Sequence, residues 1–158
     1  YRNFQGRVPE PGTLQEADQR LIDRADGATQ AIGRHLGLCH FRQGIQEIMA
    51  LAQDGNRYLD QKAPWKSLDT DRELTATTLW TALYMISAIK TVAYPYLPFS
   101  SETLHHMLGF TGSIPDVGWL VQKPQPGQHL ELPKPLFEKL EPDAIKQEVS
   151  RMQAANSG

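Results

Sequence analysis

The strongest constraint on the fold is an apolar stripe that runs into a proline. Phe41, Ile45, Ile48, Ala52, Asn56 and Leu59 recur at spacings of three and four, and Pro64 follows. That spacing is the period of one helix face, and it predicts an amphipathic helix over about 40–61. Pro64 removes a backbone donor and restricts Ala63, so the helix is expected to end just before it. Asn56 falls inside the stripe, where a buried amide needs partners at both ends. Trp65 comes next, with Arg57, Lys62 and Lys66 close in sequence. A large indole at a rigid corner among cations suits stacking on an unpaired base. The same residues also read as a helix cap carrying a half-buried tryptophan, and by themselves they leave both readings open.

Other helices are signalled around this one. Thr13 and Glu16 have the spacing of a capping box. Leu14, Ala17, Leu21, Ala25, Ala28, Ile32 and Leu36 continue the stripe to Gly37, a candidate C-terminal cap. A first helix over about 13–36, antiparallel to the second, is the expectation. A second capping box, Thr70 to Glu73, opens a third helix that is apolar almost all round, from Leu74 through Trp80, Met85 and Ile89 to Ala93. Lys90, Ser87 and several threonines interrupt it, so a central helix touched on several sides is expected rather than a membrane span. Pro95 and Pro98 close it.

A short fourth helix is expected from about Ser100 to Leu108, stopped by Gly109. Residues 110–141 carry Pro115, Pro124, Pro126, Pro133 and Pro135 with three glycines, too irregular for a long helix. They read as an extended excursion across the bundle, anchored by Trp119, Leu120, Val121, Leu132, Leu136 and Phe137. A last helix begins at Pro142, a favourable first-turn residue, with Ala144, Ile145, Val149 and Met152 as its inner face. The fold class is all-α: an antiparallel bundle of about five helices with a Pro/Gly-rich excursion before the last. At 158 residues the whole chain, 1–158, fits one domain.

Composition and motifs remove several functions. One cysteine rules out an internal disulfide framework and any multi-cysteine zinc site, and suits a reducing cytoplasm. A net charge of -2 argues against a bulk electrostatic binder of nucleic acid, so any RNA contact would be a local patch. Residues 1–66 hold nine Lys or Arg against eight acids and 67–158 hold seven against ten, a slight bias toward the Trp65 half. His35, Cys39 and His40 are separated by Gly37 and read as a helix junction rather than a metal site. His105 and His106 point about 100° apart on a helix and read as solvated or capping residues. No nucleophile elbow or phosphate loop is present, and no catalytic residue is expected. The opening Tyr1-Arg2-Asn3-Phe4-Gln5 has no apolar run, so no signal or transit segment is expected there. Lacking an initial methionine, the sequence reads as a piece of a longer protein.

Asn56-Arg57-Tyr58 followed by Ala63-Pro64-Trp65 resembles the anticodon-binding domain of methionyl-tRNA synthetases. Tyr94-Pro95-Tyr96-Leu97-Pro98, Leu108-Gly109 and Leu132-Pro133-Lys134-Pro135-Leu136-Phe137 fall in the order this family shows. The His-x-Gly-His-like and Lys-Met-Ser-Lys-Ser-like signatures of the family's catalytic domain are absent. The resemblance therefore implies a fragment of a methionine-tRNA ligase without catalytic residues. The parent enzyme would use ATP and Mg, with no cofactor in this piece. The implied partners are methionine and initiator tRNA, gripped at the anticodon loop, and the catalytic domain of the same parent chain, in the cytoplasm and away from membranes. Pro64 and Trp65 inherit the family's contact with the anticodon cytosine, and Arg2 before Asn3 matches a family Arg on the preceding anticodon-contacting helix. Arg2, Arg7, Arg57, Lys62 and Lys66 would hold phosphates, while Asn56 and Tyr58 would fix the corner's geometry. Two alternatives stand beside this: a helical protein-interaction module anchored by Trp65, and a sister synthetase for cysteine, valine, leucine or isoleucine.

Overall fold

The computed structural model describes residues 1–137 and 142–155. Five helices of ten residues or more are found among them: α1 (Glu16–Gly37), α2 (Phe41–Lys62), α4 (Arg72–Ala93), α5 (Pro98–Met107) and α7 (Pro142–Ala155). Two single turns, α3 (Pro64–Ser67) and α6 (Ile114–Val117), and a 3-10 turn at Arg2–Phe4 complete the set. No β-strand occurs among the described residues, where one antiparallel bridge joins Arg7 to His129. The all-α bundle expected from the periodicity is what forms.

Helices α1, α2 and α4 pack on one another. Their shared core takes Leu21, Ala25, Ala28 and Ile32 from α1, Ile48, Leu51 and Tyr58 from α2, and Met85, Ala88 and Val92 from α4. Ala25 and Ala28 of α1 and Ala88 of α4 are fully buried in it. A smaller cluster of Val8, Trp80 and Leu130 seals the N-terminal segment and the excursion against α4.

Helix α4 is buried on several faces, as its sequence implies, and it carries polar groups inward. Thr77, Thr78, Thr81 and Thr91 each donate to the carbonyl four residues back, at 2.9–3.1 Å. This local pairing is how hydroxyls are buried without being stranded. Other α4 donors reach outward to the excursion. Trp80 Nε1 donates to the Pro124 carbonyl at 3.1 Å and Ser87 Oγ to that of Gln122 at 2.6 Å. Lys90 is 1% exposed, and its Nζ donates to Gln122 Oε1 at 2.8 Å and lies 4.9 Å from the centre of the Phe110 ring. Burial lowers its pKa to about 8, against a smaller upward pull from Glu102. Among the described residues no helix is long and apolar enough to cross a membrane.

Several local expectations are corrected. Helix α1 starts at Glu16 with Gln15 and Asp18 forming the capping box, not Thr13 and Glu16. Gly37 remains helical, and Cys39, at φ 58 and exposed, makes the left-handed turn into α2. Helix α4 is capped by Asp71, whose Oδ1 accepts from the Leu74 N–H at 2.9 Å, not by Thr70. Helix α5 begins earlier, with Pro98 at its first position, and Gly109 stops it at φ 82 as expected. His105 is fully buried, packed against Phe110 and within 3.3 Å of the Thr111 carbonyl, so it is neither solvated nor a cap.

The excursion crosses the bundle, but its expected apolar anchors are mostly turned out. Leu120, Leu132 and Phe137 are exposed, and Trp119 is 42% exposed while donating to the Thr29 carbonyl at 3.0 Å. Its backbone carbonyls bind side chains of α4, and Leu130, Ile114 and Val121 supply the apolar contact. Helix α7 begins at Pro142 as expected. Its supposed inner residues Ile145, Val149 and Met152 are exposed, and the side chain of Ala144 lies outside the described residues.

Candidate nucleic-acid interface

Helix α2 ends at Lys62, and Ala63 turns the chain with φ 42 and ψ 58, its N–H still bonded to the Leu59 carbonyl at 2.8 Å. A non-glycine residue in this left-handed region is strained, and strain of this kind persists only where neighbours over-determine the backbone. Pro64 supplies that constraint. It is buried, and its carbonyl faces the hydroxyls of Ser67 and Thr75 at 3.4 and 3.5 Å. Those two hydroxyls are 2.8 Å apart, and the Ser67 carbonyl accepts from the Asp71 N–H at 2.8 Å. The corner is therefore pinned to the first turn of α4. From it Trp65 projects with 61% of its surface exposed, and Lys66 is exposed beside it. The half-buried cap does not form.

The Arg2 turn reaches the same helix end by another route. Arg72, the first residue of α4, donates from Nη2 to the Asn3 carbonyl at 2.8 Å, and its guanidinium lies 4.8 Å from the centre of the Phe4 ring. Arg2 is exposed. Two segments distant in sequence are thus fastened to one turn of α4, bringing Arg2 and Trp65 to a common end of the bundle. Arg7 is also exposed but faces the excursion, donating to the Gly127 carbonyl at 2.9 Å.

Arg57 lies about two turns back along α2, with its side chain 66% exposed and 3.4 Å from Asp54. It borders a cleft between α1 and α2 that Arg20 and Arg24 also line. Arg24 is neutralised there by Glu47 at 2.6 Å and Asp54 at 2.9 Å.

Lys62 requires a correction. Its Nζ is 2.7 Å from Asp18 Oδ1 and 2.8 Å from Gln15 Oε1, and its side chain is only 12% exposed. The ammonium ties α2 to α1 and is not presented to a ligand. Asp18 itself is fully buried and also accepts from the Tyr58 hydroxyl at 2.7 Å and the Gln15 N–H at 2.8 Å. Burial pushes its pKa up, but the bonds from Lys62, Tyr58 and Gln15 outweigh this and hold it below the usual value. Tyr58 is buried and bonds across to α1, and its partner Asp18 is the residue that sequence reasoning missed. The signal was present: Asp18 continues the spacing of Leu21, Ala25, Ala28 and Ile32 one step toward the N-terminus.

Asn56 is also corrected. It is exposed, at the rim of a groove formed with Ala52, Gly55, Leu59, Ala82, Met85, Ile86 and Ile89, and its side chain makes no hydrogen bond among the described residues. Asn56→Ala is accordingly expected to change stability by less than about 0.5 kcal/mol, as for other surface substitutions. Urea unfolding of the variant checks this, and a loss above about 1 kcal/mol would return Asn56 to a supporting role. No three His, Cys, Asp or Glu side chains group to hold a metal ion among the described residues.

Comparison with known proteins adds lineage to this geometry. The family model described as the anticodon binding domain of methionyl tRNA ligase matches residues 8–157. A methionine–tRNA ligase of Roseiflexus sp. (strain RS-1) is 36% identical over 98% of this chain and 30% of its own length. That of Dehalococcoides mccartyi (strain ATCC BAA-2100) is 40% identical over 84% of this chain and 24% of its own. The apo crystal structure of Mycobacterium tuberculosis methionyl-tRNA synthetase superposes with a TM-score of 0.82 at 25% identity, covering 89% of this chain and 29% of that one. The chain spans less than a third of the length of these relatives. Matched by that family model over nearly its whole length, the chain belongs to the family of anticodon-binding domains of methionyl-tRNA ligases.

Proposed function

We propose that residues 1–158 act as one anticodon-binding domain within a longer methionine-tRNA ligase, holding methionine and initiator tRNA by the anticodon loop. The observation that carries this reading is the outward-facing indole of Trp65 on a corner pinned to α4, at the helix end that also fastens the Arg2 turn. An anticodon is a single-stranded loop whose splayed bases can be stacked upon and read at their edges. Because the corner is fixed before binding, little ordering entropy opposes that stack. Arg2, Lys66 and Arg57 are the cations available to phosphates, with Arg7 set apart against the excursion and Lys62 engaged within the fold. Activation of methionine with ATP and Mg belongs to the catalytic part of the parent enzyme, which would work in the cytoplasm.

A salt titration of binding to a methionine-tRNA anticodon stem-loop tests this. Three phosphate contacts on a single strand give a slope of log K against log salt of about -2. Exchange of the anticodon should weaken binding, and a loop of a sister synthetase's tRNA that bound equally well would redirect the assignment. Phe99, 88% exposed beside the exposed Leu97, is the observation on the side of a protein-interaction module. Absence of RNA binding at any salt would favour that module.

A further inference from the structure

We propose that Arg72 is a positioning residue for Arg2, fastening the Arg2 turn against α4 so that this cation and the Trp65 indole form one rigid recognition face. The inference rests on the anticodon-binding reading above. Residues 2–4 make a single 3-10 turn, closed by its own bonds from Gly6 to the Tyr1 carbonyl and from Arg7 to the Phe4 carbonyl, both at 2.9 Å. Such a turn has poor hydrogen-bond geometry and little persistence of its own. What ties it to the bundle at this end is Arg72, which grips it twice: a 2.8 Å bond to the Asn3 carbonyl and a guanidinium held over the Phe4 ring at 4.8 Å. These are the two residues that follow Arg2.

Arg72 is itself held in place. Asp71 caps α4 through the Leu74 N–H at 2.9 Å, which sets the direction in which the next residue leaves the helix. The same turn carries Thr75, whose hydroxyl meets Ser67 of the Trp65 corner at 2.8 Å. The first turn of α4 is thus the common base of both segments. A planar fork that donates from its edge while its face lies on an aromatic ring does something an ammonium reproduces only in part.

If Arg72 acts through Arg2, the two residues must not behave independently. The affinity of this chain for the methionine-tRNA anticodon stem-loop would be measured at fixed salt for wild type, Arg2→Ala, Arg72→Ala, the double variant and Arg72→Lys. Arg2→Ala should weaken binding on the order of tenfold, the value of one charge-assisted hydrogen bond. Arg72→Ala should lose nearly as much, and the double variant should bind no worse than Arg2→Ala alone. Arg72→Lys should recover part of the loss, with the thermal midpoint of every variant within a few degrees of wild type, as expected for surface sites. Losses that multiply in the double variant would overturn the proposal, since Arg72 would then act independently of Arg2. Wild-type affinity in Arg72→Ala or in Arg2→Ala, or loss of cooperative unfolding in both Arg72 variants, would overturn it as well. Failure of the wild-type chain itself to bind the stem-loop removes the anticodon-binding reading, an outcome distinct from all of these.

Discussion

Asp18→Ala is expected to destabilise the fold by about 3–5 kcal/mol, because it removes one partner of a buried ion pair and leaves the other. The carboxylate is fully buried and joins α1 to α2 through Lys62 at 2.7 Å and the Tyr58 hydroxyl at 2.7 Å. Without it, a largely buried ammonium loses its counter-ion and keeps only Gln15 Oε1, while a buried phenol loses its carboxylate acceptor. Asp18→Asn keeps an acceptor but not the charge, so it should cost less than alanine. Urea unfolding at neutral pH measures both, and a loss below about 1 kcal/mol for Asp18→Ala would mean Lys62 swings out to solvent and the pair contributes little. The pH dependence follows from the lowered pKa of the folded carboxyl. An unfolded aspartate titrates near about 4. Above that pH both states are ionised and the stabilisation is complete; it is lost as pH falls from there through the folded value. Asp18→Asn should flatten that acid limb of the stability curve.

The same pair warns against a simple reading of binding data at Lys62. Lys62→Ala would strand the Asp18 carboxylate in the core, so weakened RNA binding by that variant would report a damaged α1–α2 junction. Arg57 and Lys66, both exposed, carry no such ambiguity.

How much of this was legible in the sequence differs by element. The corner was readable because Pro64 acts locally: it forbids continuation of α2 whatever the rest of the chain does. The long helices were readable from periodicity. The buried face of α2 is not legible in the same way, because its contact line is not the line of its large side chains. Gly44, Ile48, Leu51, Gly55, Tyr58 and Lys62 repeat at alternating spacings of four and three, and the two glycines carry no apolar signal. Gly44 nevertheless is buried, and a methyl group there would meet the Tyr96 hydroxyl. The stripe of Phe41, Ile45 and Ala52, which would turn Asn56 inward, lies to one side of that line; Phe41 and Ile45 are exposed. The excursion failed for a related reason. Its anchoring groups are backbone carbonyls, which every sequence supplies, so no side-chain pattern could mark which of them meet Trp80 and Ser87. Within the candidate site, Trp65 and Arg2 could be named from the resemblance. That the segments carrying them are both fastened to the first turn of α4 depends on Arg72, Ser67 and Thr75, through contacts to Asn3 and Phe4 and between Ser67 and Thr75.

Truncation of Trp65 is the sharpest test of the proposed face. Trp65→Ala is expected to lose about 1–3 kcal/mol of binding to the methionine-tRNA anticodon stem-loop, the range for one base–aromatic stack. A core tryptophan would cost roughly 3–5 kcal/mol of stability on the same change. At 61% exposure Trp65 should cost far less, so binding and folding separate at this residue. Trp65→Phe should bind between wild type and Ala, since a smaller ring still offers a face for stacking. A second loop, with the first anticodon base changed from cytosine, supplies the control for specificity. Wild type should bind the changed loop less well, and Trp65→Ala should bring the two affinities together, because the residue that feels the base is gone. Equal weakening of both loops would make Trp65 a general contact with no part in reading the base. Unfolding of Trp65→Ala would make it a structural residue, contrary to a corner already held by the buried Pro64 and by the Ser67–Thr75 contact at 2.8 Å, neither of which uses the indole.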